Sequence, residues 1–114
     1  MRALWRGVAV FASAATVTSV FFINFCATIF RCGCSSLWSG AAAHCNIHSA
    51  GGHHCPWCAH TSWVPWLLIV GVQAAIAFWP RALPVGARLA VGIAAFPIAG
   101  AAIALAYGLA DRYW

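Results

Sequence analysis

The sequence predicts an all-α integral membrane protein of one domain over residues 1–114. Three transmembrane helices are expected, with a Cys/His-rich extracytoplasmic loop at 31–62 joining the first two. Composition is the first observation behind this. Of 114 residues, 64% are hydrophobic and 6% charged, with a mean hydropathy of +0.87. A soluble domain is roughly half apolar and roughly a quarter charged, so too few polar side chains are present to cover a water-facing surface. The second observation is the three stretches at 7–30, 63–79 and 89–110, each free of charge and each meeting the ~17 residues needed to span a bilayer. The third is the placement of all five histidines and five of the six cysteines between the first two stretches.

The first stretch, GVAVFASAATVTSVFFINFCATIF, follows Arg2 and Arg6. Ala12-Ser13-Ala14 matches a signal-peptidase site, but the apolar run before it is short and continues well past it. A retained helix is therefore favoured over a cleaved leader. Ile23-Asn24-Phe25-Cys26 lacks the small residues of a lipoprotein cleavage site. Cys26 lies a turn or two from the outer end of this helix. It could face the loop from beneath, but the favoured reading is an ordinary small apolar residue.

Trp63, Trp66 and Trp79 bracket the second helix, Tyr107, Tyr113 and Trp114 close the third, and Trp5 lies near the start of the first. Aromatic rings favour the headgroup level, so these are anchors. Gly71-x3-Ala75 and Gly100-x3-Ala104-x3-Gly108 put small residues on one face of the second and third helices. Helices in lipid associate through such faces because their backbones can approach closely. The bilayer is thus the first partner. Other membrane subunits, or further copies meeting through Gly100, Ala104 and Gly108, are the second. Pro97 is expected to kink the third helix.

No ionisable residue lies within the three stretches, whose polar residues include Ser13, Thr16, Thr18, Ser19, Asn24 and Gln73. A charged pathway would be the mark of an ion-driven pump, so a self-contained pump is excluded. Four arginines (2, 6, 81 and 88) flank one side of the spans, whereas Arg31 and Arg112 flank the other. The positive-inside rule then puts the N-terminus in the cytoplasm and the Cys/His loop and C-terminus outside. An alanine-rich chain without lysine reads as bacterial, which makes this a multi-pass inner-membrane protein with a periplasmic loop. The net charge of +5 needs no nucleic-acid partner.

Connections between packed helices usually take about 2–8 residues, and long ones tend to be functional. The loop at 31–62 is rich in Ser, Gly and Ala, so ordering it requires a crosslink. Its ligand-bearing residues read Cys45-x2-His48-x6-Cys55-x2-Cys58-x-His60, preceded by Cys32-Gly33-Cys34. Paired ligands two residues apart can grip one ion, and a Cys3His set suits tetrahedral Zn²⁺. Soft sulfur and imidazole donors equally suit Cu(I). The expected first shell is Cys45, His48, Cys55 and Cys58. Cys32 and Cys34 would complete a second or bridged site, with His54 as the best further ligand. An iron–sulfur cluster usually asks for four cysteines, and Hg²⁺ would take two thiolates from either pair. Disulfides alone would give no reason to set His44 beside Cys45 and His54 beside Cys55.

The expected role is metal capture or delivery, or service as an accessory subunit of a membrane complex. Enzymatic activity is not the favoured expectation, since Asp111 stands alone as the acidic residue. The alternative is a thiol–disulfide oxidoreductase acting through Cys55-Pro56-Trp57-Cys58. This pair is similar to the CxxC that membrane disulfide-generating enzymes carry at the outer end of a helix. The chain departs from them in having three expected helices where a four-helix bundle holds their quinone. In size and architecture it is similar to small three-helix mercury transport proteins, although adjacent cysteines mark the first helix of those and only Cys26 occurs here.

Overall fold

The computed structural model describes residues 1–60, 63–79 and 82–114. Helix α1 spans Arg2–Phe30, α2 Pro56–Ala59, α3 Trp63–Phe78 and α4 Val85–Ala110, with short 3-10 turns at Leu37–Ser39 and Asn46–His48. No strand occurs among the described residues. At 1.5 Å per residue, α1 and α4 are about 43 and about 39 Å long, against ~30 Å for the hydrocarbon core of a bilayer. Two helices are thus long and apolar enough to cross a membrane, and the apolar α3 is shorter, at 16 residues.

Helices α1 and α4 begin at Arg2 and Val85, ahead of the expected 7 and 89. A charge-free criterion trims a helix at its arginines, yet arginine is a good helix former. Arg88 is used within α4: its Nη1 donates to the carbonyl of Ala77, 2.9 Å away in the last turn of α3. A cation at a helix C-terminus satisfies a carbonyl that lacks an intrahelical partner. Helix α4 continues through Pro97. Arg81, used in the orientation argument, and Thr61 and Ser62 at the end of the loop lie outside the described residues.

Helices α1, α3 and α4 each pack against the other two. The inward stripe of α1 runs Gly7, Val10, Ala14, Thr18, Phe22, Cys26, Phe30, the three- and four-residue spacing of one helix face. Gln73, 1% exposed, ties the three helices together. Its Nε2 donates to Thr18 Oγ1 on α1 (2.7 Å) and to the carbonyl of Gly92 on α4 (2.9 Å). Both amide protons are thereby satisfied where no water reaches them.

Gly100, Ala104 and Gly108 are all buried within the chain. A Cβ on Gly100 would lie 2.8 Å from the ring of Phe25, and one on Gly108 would strike Trp114. The small-residue face expected to receive partners is therefore occupied by the chain's own aromatic rings. Large apolar side chains such as Phe21, Leu67, Leu68, Ile98 and Leu105 instead point outward. Only 22% of the most apolar window of α1 and 28% of that of α4 are buried, whereas the core helix of a water-soluble protein would be mostly covered.

The segment from Arg31 to His60 folds back over one end of the bundle. It holds more apolar anchoring than its composition suggests, and Trp57 supplies it. That side chain is fully buried, stacked on Phe22 (centroids 5.0 Å apart, planes at 5°) and on Phe25, with the edge of Phe30 at 5.6 Å. One indole buries enough area to dock a loop that is otherwise rich in serine, glycine and alanine. The requirement for a crosslink is met in part by this plug.

Candidate metal centre

The six thiols converge beside Trp57. Cys26 comes from the last turns of α1. The chain leaves that helix through Arg31 in the left-handed conformation (φ 49°) and doubles back, which sets Cys32 and Cys34 beside the helix end. Between them, Gly33 has φ +86°, and a Cβ there would meet the carbonyl oxygen of His44 at 2.6 Å. Only glycine fits both conditions, so the short Cys-x-Cys turn depends on it. Cys55 immediately precedes α2, and Pro56 occupies the first position of that helix, where its missing N–H costs nothing. The single turn that follows brings Cys58 back toward the same side.

Asn46 fixes these segments relative to one another. Its backbone N–H donates to Cys32 O (2.7 Å), and its Oδ1 accepts from the backbone N–H of Cys55 (2.6 Å). Its Nδ2 donates to the Tyr113 hydroxyl at 2.9 Å, which in turn donates to Phe30 O at 2.5 Å. One asparagine thereby links the Cys-x-Cys turn, the CxxC, the segment after α4 and the end of α1. Burial holds the acidity of Tyr113 low, keeping it a phenol donor.

Sulfur–sulfur separations are 3.4 Å for Cys26–Cys55, 3.9 Å for Cys26–Cys32, 3.3 Å for Cys32–Cys34 and 3.8 Å for Cys34–Cys58. All six thiols are free, and all are buried except Cys58, which is partly exposed. A tetrahedron of ~2.3 Å metal–sulfur bonds has edges of about 3.8 Å, so the sulfurs already stand near ligand–ligand spacing. Three sets have their sulfurs mutually within 4.8 Å: Cys26/Cys55/Cys58, Cys32/Cys45/Cys55 and Cys34/Cys45/Cys58. The cluster can hold a metal ion.

Electrostatics within the group are uneven. Hydrogen bonds from Cys26 and then Cys55 hold the Cys58 thiol down to about 4, against the effect of burial. Cys55 is lowered as well, chiefly by Cys26 and then Cys32, whereas burial and its bond to Cys32 raise Cys34. Both CxxC thiols are thereby shifted toward the thiolate, the form that binds metal.

Of the residues singled out in the sequence, the fold brings together Cys32, Cys34, Cys45, Cys55 and Cys58, and adds Cys26. His48 and His54 are not brought in. Both are exposed, with His48 Nε2 3.0 Å from Ala42 O and His54 Nε2 3.0 Å from Ser49 O. The groups placed to hold an ion are cysteines, without the imidazole of the expected Cys3His set, and the physical reason is solvation. Imidazoles gain from water at the rim, whereas thiols behave as small apolar groups and fill the interior. His44 and His53 are exposed too. His60 pairs with Asp111 at 2.7 Å, giving the lone carboxylate a partner at the same end of the bundle.

Cys26 is the member of the thiol cluster that sequence spacing undervalued. The signal was present in the four-residue interval from Phe22 to Cys26 to Phe30, which places Cys26 on the inward stripe of α1. Compared with protein-family models, curated proteins and solved structures, the chain matches none.

Proposed function

We propose that this is a three-span membrane protein that captures or delivers a soft transition metal, Cu(I) or Zn²⁺, through an all-cysteine centre at one end of its helical bundle. The observation that carries the reading is the convergence of six free sulfurs, five linked by separations of 3.3–3.9 Å and Cys45 within 4.8 Å of four of them, under a loop whose histidines stay outside. An all-thiolate donor set selects soft ions. Disulfide staples would call for three isolated pairs with S–S bonds of about 2.05 Å, not one shared cluster.

The outward apolar surfaces of α1, α3 and α4 support immersion in lipid, with α3 completing its crossing through the flanking Trp63 and Trp79. Arg6 and Arg88 line one cavity at the end opposite the cysteines. With Arg2 and Arg81 from the sequence, they favour a cytoplasmic placement for that end. The metal centre then lies at the periplasmic face of a bacterial inner membrane. There it would hand ions to, or accept them from, another membrane subunit.

A second reading, thiol–disulfide exchange at Cys55 and Cys58, draws on the lowered pKa of Cys58 and the 3.4 Å approach of Cys26 to Cys55. Against it, Cys55 is fully buried, and an exchanging thiol must be reached by its partner. Anaerobic purification in detergent followed by elemental analysis and a thiol count separates the two. Bound copper or zinc with cysteines that titrate only after metal removal supports the metal reading. Absence of metal together with a Cys55–Cys58 disulfide that cycles rapidly supports the oxidoreductase instead.

A further inference from the structure

The three sulfur triplets do more than mark a place for one ion: each pair of triplets shares a sulfur. Cys55 belongs to the first and second, Cys58 to the first and third, and Cys45 to the second and third. Three triangles joined corner to corner in this way are three alternate faces of an octahedron whose six corners are the six sulfurs. The remaining alternate face is Cys26/Cys32/Cys34. Two of its edges, Cys26–Cys32 and Cys32–Cys34, measure 3.9 and 3.3 Å.

The sulfurs thus present three-sulfur faces that share corners. Cu(I) accepts three thiolates in a plane and shares each thiolate with a second ion, and it is the soft ion that thiolates select. Charge favours more than one ion. A single divalent ion on this cluster would leave either idle buried thiols or several uncompensated thiolates. One monovalent ion on each of the four faces would leave two net negative charges if all six thiols ionise. Burying a charge without a partner is costly, so multiple occupancy stabilises the ionised form of the cluster.

We propose, building on the soft-metal reading above, that the six cysteines form a polynuclear cuprous centre. Three Cu(I) ions sit on the three preformed triplets, with Cys45, Cys55 and Cys58 as bridging thiolates. A fourth sits on the Cys26/Cys32/Cys34 face. Each ion displaces the protons of the thiols it binds, and no electron is transferred. The protein would thus hold a small store of cuprous ions at the membrane face, not a single structural ion.

The test uses the intact, reduced, metal-free chain in detergent under anaerobic conditions, titrated with Cu(I) against a cuprous chelator and followed by native mass spectrometry and emission. Expected are species carrying three or four Cu(I) that appear together without abundant one-ion intermediates, and the long-wavelength luminescence of copper–thiolate clusters shielded from water. Saturation at one or two ions overturns the polynuclear centre while leaving the soft-metal reading intact. No Cu(I) retained against the chelator, with one Zn²⁺ bound tightly, overturns the cuprous polynuclear centre and leaves the soft-metal reading intact. Retention of neither ion overturns both.

Discussion

Replacing Asn46 by alanine should weaken the metal centre without removing any ligand. Asn46 Oδ1 accepts the backbone N–H of the fully buried Cys55 at 2.6 Å, and Nδ2 donates to Tyr113 at 2.9 Å. Orphaning a buried donor costs about 1–3 kcal/mol, and the second lost hydrogen bond adds about 1 kcal/mol, giving about 2–4 kcal/mol in all. At about 1.4 kcal/mol per tenfold, this corresponds to roughly 30- to 700-fold weaker binding wherever the metal-free loop undocks. The assay is competition with a cuprous chelator on the folded protein in detergent, with helicity checked by circular dichroism. Tyr113→Phe breaks the link to Asn46 and Phe30 but leaves the Cys55 hydrogen bond in place, so its loss should be several-fold smaller. An Asn46→Ala protein that is fully helical and binds within threefold of the original would refute the assignment of Asn46 as the positioning residue.

The remaining predictions concern the cluster itself. Cys26→Ser removes the only thiol supplied by a long helix and should lower copper uptake by at least one ion per chain; unchanged uptake by elemental analysis would exclude it from the site. The double change His48→Ala and His54→Ala should leave metal stoichiometry unaltered, because both rings face solvent and neighbouring carbonyls; loss of an ion would restore a mixed shell. Gly33→Ala places a Cβ against His44 O at φ +86°. Left-handed backbone costs about 1–2 kcal/mol for a non-glycine residue, and the contact adds to that. Metal affinity measured by chelator competition should therefore fall at least tenfold.

Much of the helical architecture was legible in the sequence because long apolar helices announce themselves by uninterrupted hydrophobicity. The bounds of α3 came within a residue, whereas α1 and α4 extended past their arginines into flanks that a charge-free window rejects. The internal use of Gly100 and Gly108 was not legible. A small-residue stripe reads the same whether a partner helix or the chain's own Phe25 and Trp114 fills it. At the site, cysteine density pointed to the region where the thiols cluster, but spacing along the chain could not tell which side chains turn inward. His48 and Cys45 are neighbours in a knuckle pattern, yet the imidazole turns to solvent and the thiol turns inward. The contribution of Cys26 depended on a helix end folding beneath a loop thirty residues further on, a tertiary relation that no local motif encodes. Trp57 likewise reads as part of a CxxC dipeptide until its stacking on Phe22 shows it to be the plug that docks the loop.

The central claim is that sulfur alone holds the metal. X-ray absorption at the metal edge, recorded on anaerobically purified protein in detergent, tests it most directly. The account predicts a first shell of sulfur at about 2.3 Å with no imidazole pattern beyond it. A nitrogen shell with outer-sphere imidazole scattering would place a histidine on the metal and contradict the account.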